Sequence, residues 1–302
     1  MNRRNAVKVM MGGVATGFLP TLDVFGVEKM NEKLIPMDTH AHIFHRGLKL
    51  ANARRYAPDY DVFLTDYLQV LNENHIGRGA LIQPSFLGTD NSYLLEALRQ
   101  YPDRLRGIAV VDPAISLDEM NELDHDGIRG VRLNLVGQEL PDFSKGKWPV
   151  FLDRIQQLDW QIEIHREAVD LPNILIALLP TNINLVLDHF GRPDSSKGIN
   201  DPGFKFMLDK AESSRRVWVK VSGAYRNGVS GIGHRIALEA MPLLKKYVGY
   251  DRMVWGSDWP HTQFESSESY AKELSLLSQW IPNEMDRNIV LCKTPAKLFG
   301  FN

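Results

Sequence analysis

An α/β fold, a single (β/α)8 TIM barrel, is what the sequence predicts, on three observations. Eight short apolar runs alternate with segments of helical period, no low-complexity linker divides them, and no Gly-rich dinucleotide fingerprint follows the first run to favour a doubly wound sheet. The first run, 33–38, is Lys-Leu-Ile-Pro-Met-Asp and reads as a strand. A loop carrying His45, Arg54, Arg55, Tyr56 and Pro58 leads to a helix over 61–74, where Phe63, Leu64, Tyr67, Leu68 and Leu71 recur at helical spacing. Strands at 79–83, 107–111 and 128–133 are followed by helices over 91–100, 117–123 and 150–158. The rhythm repeats in the second half, with strands at 161–164, 184–187, 217–221 and 252–255. Helices over 172–179, 204–212, 236–247 and 270–280 follow them, and a last helix covers 283–291.

The 302 residues, 44% hydrophobic and 24% charged, suffice for one large barrel with a sizeable core. A formal charge of −2 gives no basic footprint for nucleic acid or an anionic membrane surface. Cys292 is the single cysteine, which excludes an internal disulfide framework and zinc-finger spacing. No apolar run has the length of a transmembrane helix, so no membrane insertion of the mature form is expected. Near the start, Arg3-Arg4 precedes the uncharged, Gly-containing stretch 9–22, similar to a twin-arginine export signal but without an A-x-A cleavage site. We therefore separate 1–30, as an export signal or a disordered basic start, from a barrel over 31–302. A periplasmic location is the expectation, with the cytoplasm as the alternative.

The chemistry gathers at strand ends. In extended backbone, residues i and i+2 project to one side, so His40 and His42 can converge on one point. Neutral imidazole is a common ligand for zinc and similar ions. Barrel enzymes build their sites from strand C-termini and the loops that follow. His40 and His42 follow strand one, His165 strand five, His189 strand six and Asp258 strand eight. Any one of these has a plain reading as a satisfied core or loop residue, but five together point to a site. Arg132 sits on a strand, where an unpaired guanidinium is costly to bury, so a carboxylate of ligand or protein is its expected partner.

His40-x-His42, His165, Leu187-Asp188-His189-Phe190-Gly191-Arg192-Pro193 and Trp255-Gly256-Ser257-Asp258-Trp259-Pro260-His261 resemble the amidohydrolase superfamily. More closely, from about Pro36 onward, the chain is similar to the lactonase branch of 2-pyrone-4,6-dicarboxylate hydrolase and sulfomuconolactone hydrolase. The resemblance implies a divalent metal, zinc foremost, held by His40, His42, His165 and Asp258. It also implies Asp258 as general base toward water, and His189 beside the metal as a ligand or as polariser of the substrate carbonyl. Tyr56, Ser85, Arg132 and Arg226 match positions that contact substrate in that branch. Without the resemblance, Tyr56 reads as packing, Ser85 as a turn residue and the arginines as surface charge.

The implied reaction is hydrolysis of a small acidic lactone, a carboxylic ester, of the kind met in aromatic degradation. Two points qualify it. The pyrone enzymes carry a second arginine six residues after the position of Arg132, where this chain has Gln138, which argues against a dicarboxylate held in the same way. Part of the branch also hydrolyses without a metal; His165 favours one here, since it completes three imidazoles and a carboxylate. The first alternative is a non-oxidative decarboxylase of the aminocarboxymuconate semialdehyde type, which uses nearly the same residues with the strand-six histidine as catalyst. The second is a non-catalytic exported binding protein that keeps the barrel. The substrate is the one partner expected, with a homo-oligomer left open.

Overall fold

Apolar runs that are buried on both faces pair in parallel and need a helix to return the chain, and that logic carries this sequence around a barrel. The computed structural model describes residues 34–301. The basic start and its twin-arginine-like stretch lie outside the described residues. The strands are β1 (Met37–Ala41), β2 (Arg78–Ile82), β3 (Leu105–Ala109), β4 (Ile128–Asn134), β5 (Gln161–His165), β6 (Leu185–Leu187), β7 (Val217–Ser222) and β8 (Met253–Gly256). Each pairs in parallel with the next, in the order β1 to β8. The ends of the sheet meet just beyond β8: the Asp258 amide donates to His40 O and the His42 amide to Trp259 O, both at 2.8 Å.

Helices α1 (Leu64–Glu73), α2 (Ser92–Gln100), α3 (Leu117–His125), α4 (Trp148–Gln157), α5 (Leu171–Leu178), α6 (Pro202–Ser214), α7 (Ile232–Tyr247) and α8 (Tyr270–Trp280) follow strands one to eight in turn. Helix α1 buries Leu64, Tyr67, Leu68 and Leu71, the i, i+3, i+4, i+7 stripe of an amphipathic helix. Two later helices start at side-chain caps: Ser116 and Glu119 form a reciprocal capping box on α3, and Asp201 accepts from two amides at the start of α6. A smaller apolar set packs the C-terminal Phe299 and Phe301 against Met37, Ala80, Ile82 and Ile108 of β1 to β3.

Two elements differ from their expected places. Strand one is not 33–38 but Met37–Ala41. Pro36 has no amide to give a ladder, and the polar Asp38, Thr39 and His40 that follow are fully buried. Asp38 accepts from Ser257 N and Oγ, at 2.8 and 2.6 Å, and Thr39 Oγ1 donates to Trp255 O at 2.8 Å. The last helix, expected at 283–291, is broken into Glu284–Asn288, a π turn at Ile289–Lys293, and Thr294–Leu298. Pro295 lacks the amide that would have continued one α-ladder through this region.

Candidate active site

The meeting of β1 and β8 sets the site. His40 lies within β1, His42 one residue past its end, and Asp258 two past β8, so the two backbone bonds that join these strands also fix three side chains. The approach is close enough that a side chain at Gly256 would meet His40 Cβ at 2.6 Å. Gly223 plays a similar part after β7: a Cβ there would lie 2.7 Å from Asp258 Oδ2 and 2.8 Å from His189 Nδ1. Asp258 itself is left-handed, with φ of 59°, an uncommon conformation for a residue with a Cβ.

His40 Nε2 lies 3.7 Å and His42 Nε2 3.9 Å from Asp258 Oδ1. His42 Nδ1 donates to Ile82 O at 2.7 Å, so its Nε2 keeps the lone pair. Burial holds both imidazoles neutral, His42 at about 3 and His40 well below its usual value, with Arg132 and Lys220 adding to the effect. Burial alone would raise Asp258, but the Arg226 guanidinium bonded to it outweighs burial and holds the carboxyl well below the usual range. Tyr225 Oη donates to Asp258 Oδ2 at 2.7 Å and Arg226 Nε donates to the same oxygen. Oδ1 and His40 Nε2 are buried without a hydrogen-bond partner in the protein. Two neutral imidazole nitrogens and one carboxylate oxygen within 4.8 Å of one another are a donor set that fits a divalent cation such as zinc.

His165 is placed differently. It ends β5 and lines the same cavity, but it does not join His40, His42 and Asp258 in that donor group. Arg132 Nη2 lies 3.3 Å from its Nδ1 and Arg192 Nη1 2.7 Å from its Nε2. The expected fourth ligand is thus engaged by two guanidinium groups. His189, just after β6, pairs Nδ1 with Ser222 Oγ at 3.1 Å and packs 5.1 Å, ring to ring, from both His40 and His165. Burial lowers it to about 4, so it too is neutral.

A charged layer lies beneath His40 inside the barrel. Lys220 Nζ of β7 donates to Glu163 Oε2 of β5 at 2.5 Å and to Thr39 O at 2.9 Å. Glu163 Oε1 and Asp188 Oδ1 approach His40 Nδ1 at 3.5 and 3.4 Å.

The cavity above, about 200 Å³, is lined by all four residues expected to meet substrate: Tyr56, Ser85, Arg132 and Arg226. Tyr56 Oη pairs with Thr262 Oγ1 at 3.1 Å, and Ser85 opens a short helical turn after β2. Arg132 donates to Asp188 Oδ2 through Nη2 at 3.0 Å and Nε at 3.3 Å, so its expected carboxylate partner belongs to the protein. Gln138 has no place in this lining; its carbonyl accepts from Arg166. Sequence reasoning did not single out Arg55 and Arg192, which both line the cavity.

Comparison with known proteins follows the same outline. The amidohydrolase family model matches residues 37–301. The chain belongs to the amidohydrolase family. Within it, the chain is 32% identical to a 2-pyrone-4,6-dicarboxylate hydrolase of Comamonas testosteroni, over 82% of this chain and 83% of the relative. It is 30% identical to a 4-sulfomuconolactone hydrolase of Rhizobium radiobacter, over 87% and 89% of the two. Among solved structures, one described as a probable 2-pyrone-4,6-dicarboxylic acid hydrolase from Acinetobacter baumannii, with citric acid bound, superposes with a TM-score of 0.85. It is 39% identical, over 88% of this chain and 99% of that one.

Proposed function

We propose that this amidohydrolase opens a small anionic lactone by water attack, with Asp258 as general base. One observation carries the reading: an ionised carboxylate oxygen, Asp258 Oδ1, stands without a partner between two neutral histidines at an arginine-lined cavity. The lactone hydrolases among the relatives give that carboxylate its substrate class. We assign His40, His42 and Asp258 as holders of a divalent cation, zinc by the donor set, whose chemistry would be to polarise the ester carbonyl and acidify water.

The chain's own residues do the rest. Arg226 and Tyr225 hold Oδ2, which turns Oδ1 toward the histidines and leaves it to take a proton from attacking water. Asp258 then returns that proton to the leaving ring oxygen. Nδ1 of His189 pairs with the Ser222 hydroxyl, and in the tautomer in which Nδ1 accepts that hydrogen the ring's proton sits on Nε2, where it can be donated to the carbonyl oxygen as charge develops. Tyr56 and Ser85 supply hydrogen bonds at the cavity wall.

A pH-stat assay across a panel of acidic lactones tests this reading. One equivalent of acid per ring opened supports it. Release of CO₂ instead supports the decarboxylase alternative, and binding without any turnover supports a binding protein. We also take Arg3-Arg4 as an export signal. Changing both to Lys should leave the protein in the cytoplasm, and unchanged fractionation would rule the signal out.

A further inference from the structure

The arginines at the cavity differ in what already neutralises them. Arg132 is bound to Asp188 and lies 3.6 Å from Glu163; Arg226 is bound to Asp258. Arg192 is not served in this way. Its nearest carboxylate is Glu167, half exposed and 3.5 Å away, which also lies 3.6 Å from Arg166. Its buried Nε has no acceptor in the protein. Arg55, at the same cavity, reaches Asn134 Oδ1 at 3.5 Å, the limit of a hydrogen bond.

His165 points the same way. A neutral imidazole accepts at one nitrogen, and a guanidinium accepts nowhere. With Arg132 on Nδ1 and Arg192 on Nε2, one of the two contacts sets a donor against a donor. An oxyanion placed beside Arg192 would give both donors an acceptor.

The backbone, too, is bent to bring Arg192 here. His189, Phe190 and Arg192 have φ of 51°, 60° and 50°, and an uncommon conformation repeated over three residues with side chains marks a constrained loop. The loop is pinned where Gly191 N donates to Asp188 O at 2.9 Å and Ala168 N to Arg192 O at 2.9 Å.

We propose that Arg192, with the His165 ring beside it and Arg55 at the cavity mouth, is the receptor for a carboxylate substituent of the substrate, held through the guanidinium fork. Arg132 and Arg226 serve the protein's own carboxylates. The inference rests on the lactonase reading for the identity of the substrate, but the receptor itself can be tested without turnover.

Citrate is the probe, and its binding to the full-length protein is read by thermal unfolding and titration calorimetry. Citrate should raise the Tm of the wild type and bind Arg192→Met about 10- to 100-fold more weakly, the loss of a charge-assisted contact. Arg192→Lys, which keeps charge but not the fork, should fall between the two. Both replacements are unbranched, so the left-handed backbone treats them as it treats arginine. With lactones, Arg192→Met should raise KM for a carboxylated substrate at nearly constant kcat, and raise KM for its neutral methyl ester much less. Arg192→Met or Arg192→Lys binding citrate as tightly as wild type would overturn the proposal. So would a wild type that citrate does not stabilise, or equal losses on the anionic and neutral lactones. A wild type that opens no lactone, yet loses citrate on Arg192→Met, would refute the lactonase reading and keep the receptor.

Discussion

Arg226 and Asp258 are joined on one side only: Arg226 Nε donates to Oδ2, and Oδ1 is left to face His40 and His42. The pairing keeps the carboxylate ionised while aiming its second oxygen at the cavity. Asp258→Asn keeps the shape but loses the basicity, so kcat should fall by roughly 10²–10⁴-fold. The same change leaves the buried Arg226 without its counter-charge and should cost about 1–3 kcal/mol of stability in urea unfolding. A folded variant that retains most of its kcat would move the base to His189.

The donor set makes a separate prediction about metal. Purified protein should carry close to one divalent ion per chain by elemental analysis, and His42→Ala should lose it, because Nε2 of His42 is one of the three donor atoms. Chelation should abolish turnover, and added Zn²⁺ should restore it. Undiminished kcat after complete chelation would show that the histidines act without a cation.

Much of this was legible in the sequence, for physical reasons. Strands buried on both faces read as apolar runs, and side chains at their C-terminal ends must point to the barrel mouth, so His40, His42, His189 and Asp258 could be placed together. The first strand was misjudged because Asp38, Thr39 and His40 are polar, and their buried partners lie more than 200 residues away at 255–257. Glu163 and Lys220 did leave a signal. Each is a single charge flanked by Ile or Val, which in a barrel strand places it inward. His165 was expected in the donor group with His40, His42 and Asp258; spacing could bring it to the site but could not show that Arg132 and Arg192 stand at its two nitrogens. The part of Arg192 was hidden, since it depends on a left-handed loop and on which carboxylates the other arginines already hold.

Stability should peak near neutral pH. Burial holds His42 at about 3 and His189 and His261 at about 4, below the usual 6.5. Below pH 6.5 the unfolded chain therefore takes up protons that the folded one refuses, and stability is lost as the pH falls toward 4. Glu273 has the opposite sign: burial and the neighbouring Glu268 push it from 4.5 up to about 9, so stability is lost as the pH rises through that window. Each group contributes at most about 1.4 kcal/mol per pH unit. Urea midpoints measured from pH 4 to 9 should form a dome, and Glu273→Gln should flatten its alkaline side. A midpoint that climbs steadily to pH 9 would contradict the assignment of Glu273.

The charged layer under His40 makes the sharpest stability prediction. Lys220 is fully buried, and its ammonium is shared between Glu163 Oε2 and Thr39 O and lies 3.2 Å from His40 Nδ1. Lys220→Met preserves most of the volume but leaves Glu163, which burial and Asp188 already push up to about 8, beside Asp188 with only Arg132 and the neutral His40 between them. Breaking one side of a buried pair costs about 3–5 kcal/mol, a large share of a domain's stability. Removing both groups in Lys220→Met/Glu163→Gln should recover part of that loss, because no unpaired acid then remains beside Asp188. Arg132→Met should behave like Lys220→Met, lowering stability and affecting anionic and neutral lactones alike. That separates a residue that neutralises the barrel interior from Arg192, which is expected to discriminate between the two substrates. Lys220→Met unfolding at the wild-type urea concentration would mean that Glu163 is held by its proton rather than by the lysine, and the layer would then have to be redrawn around Asp188 and Arg132.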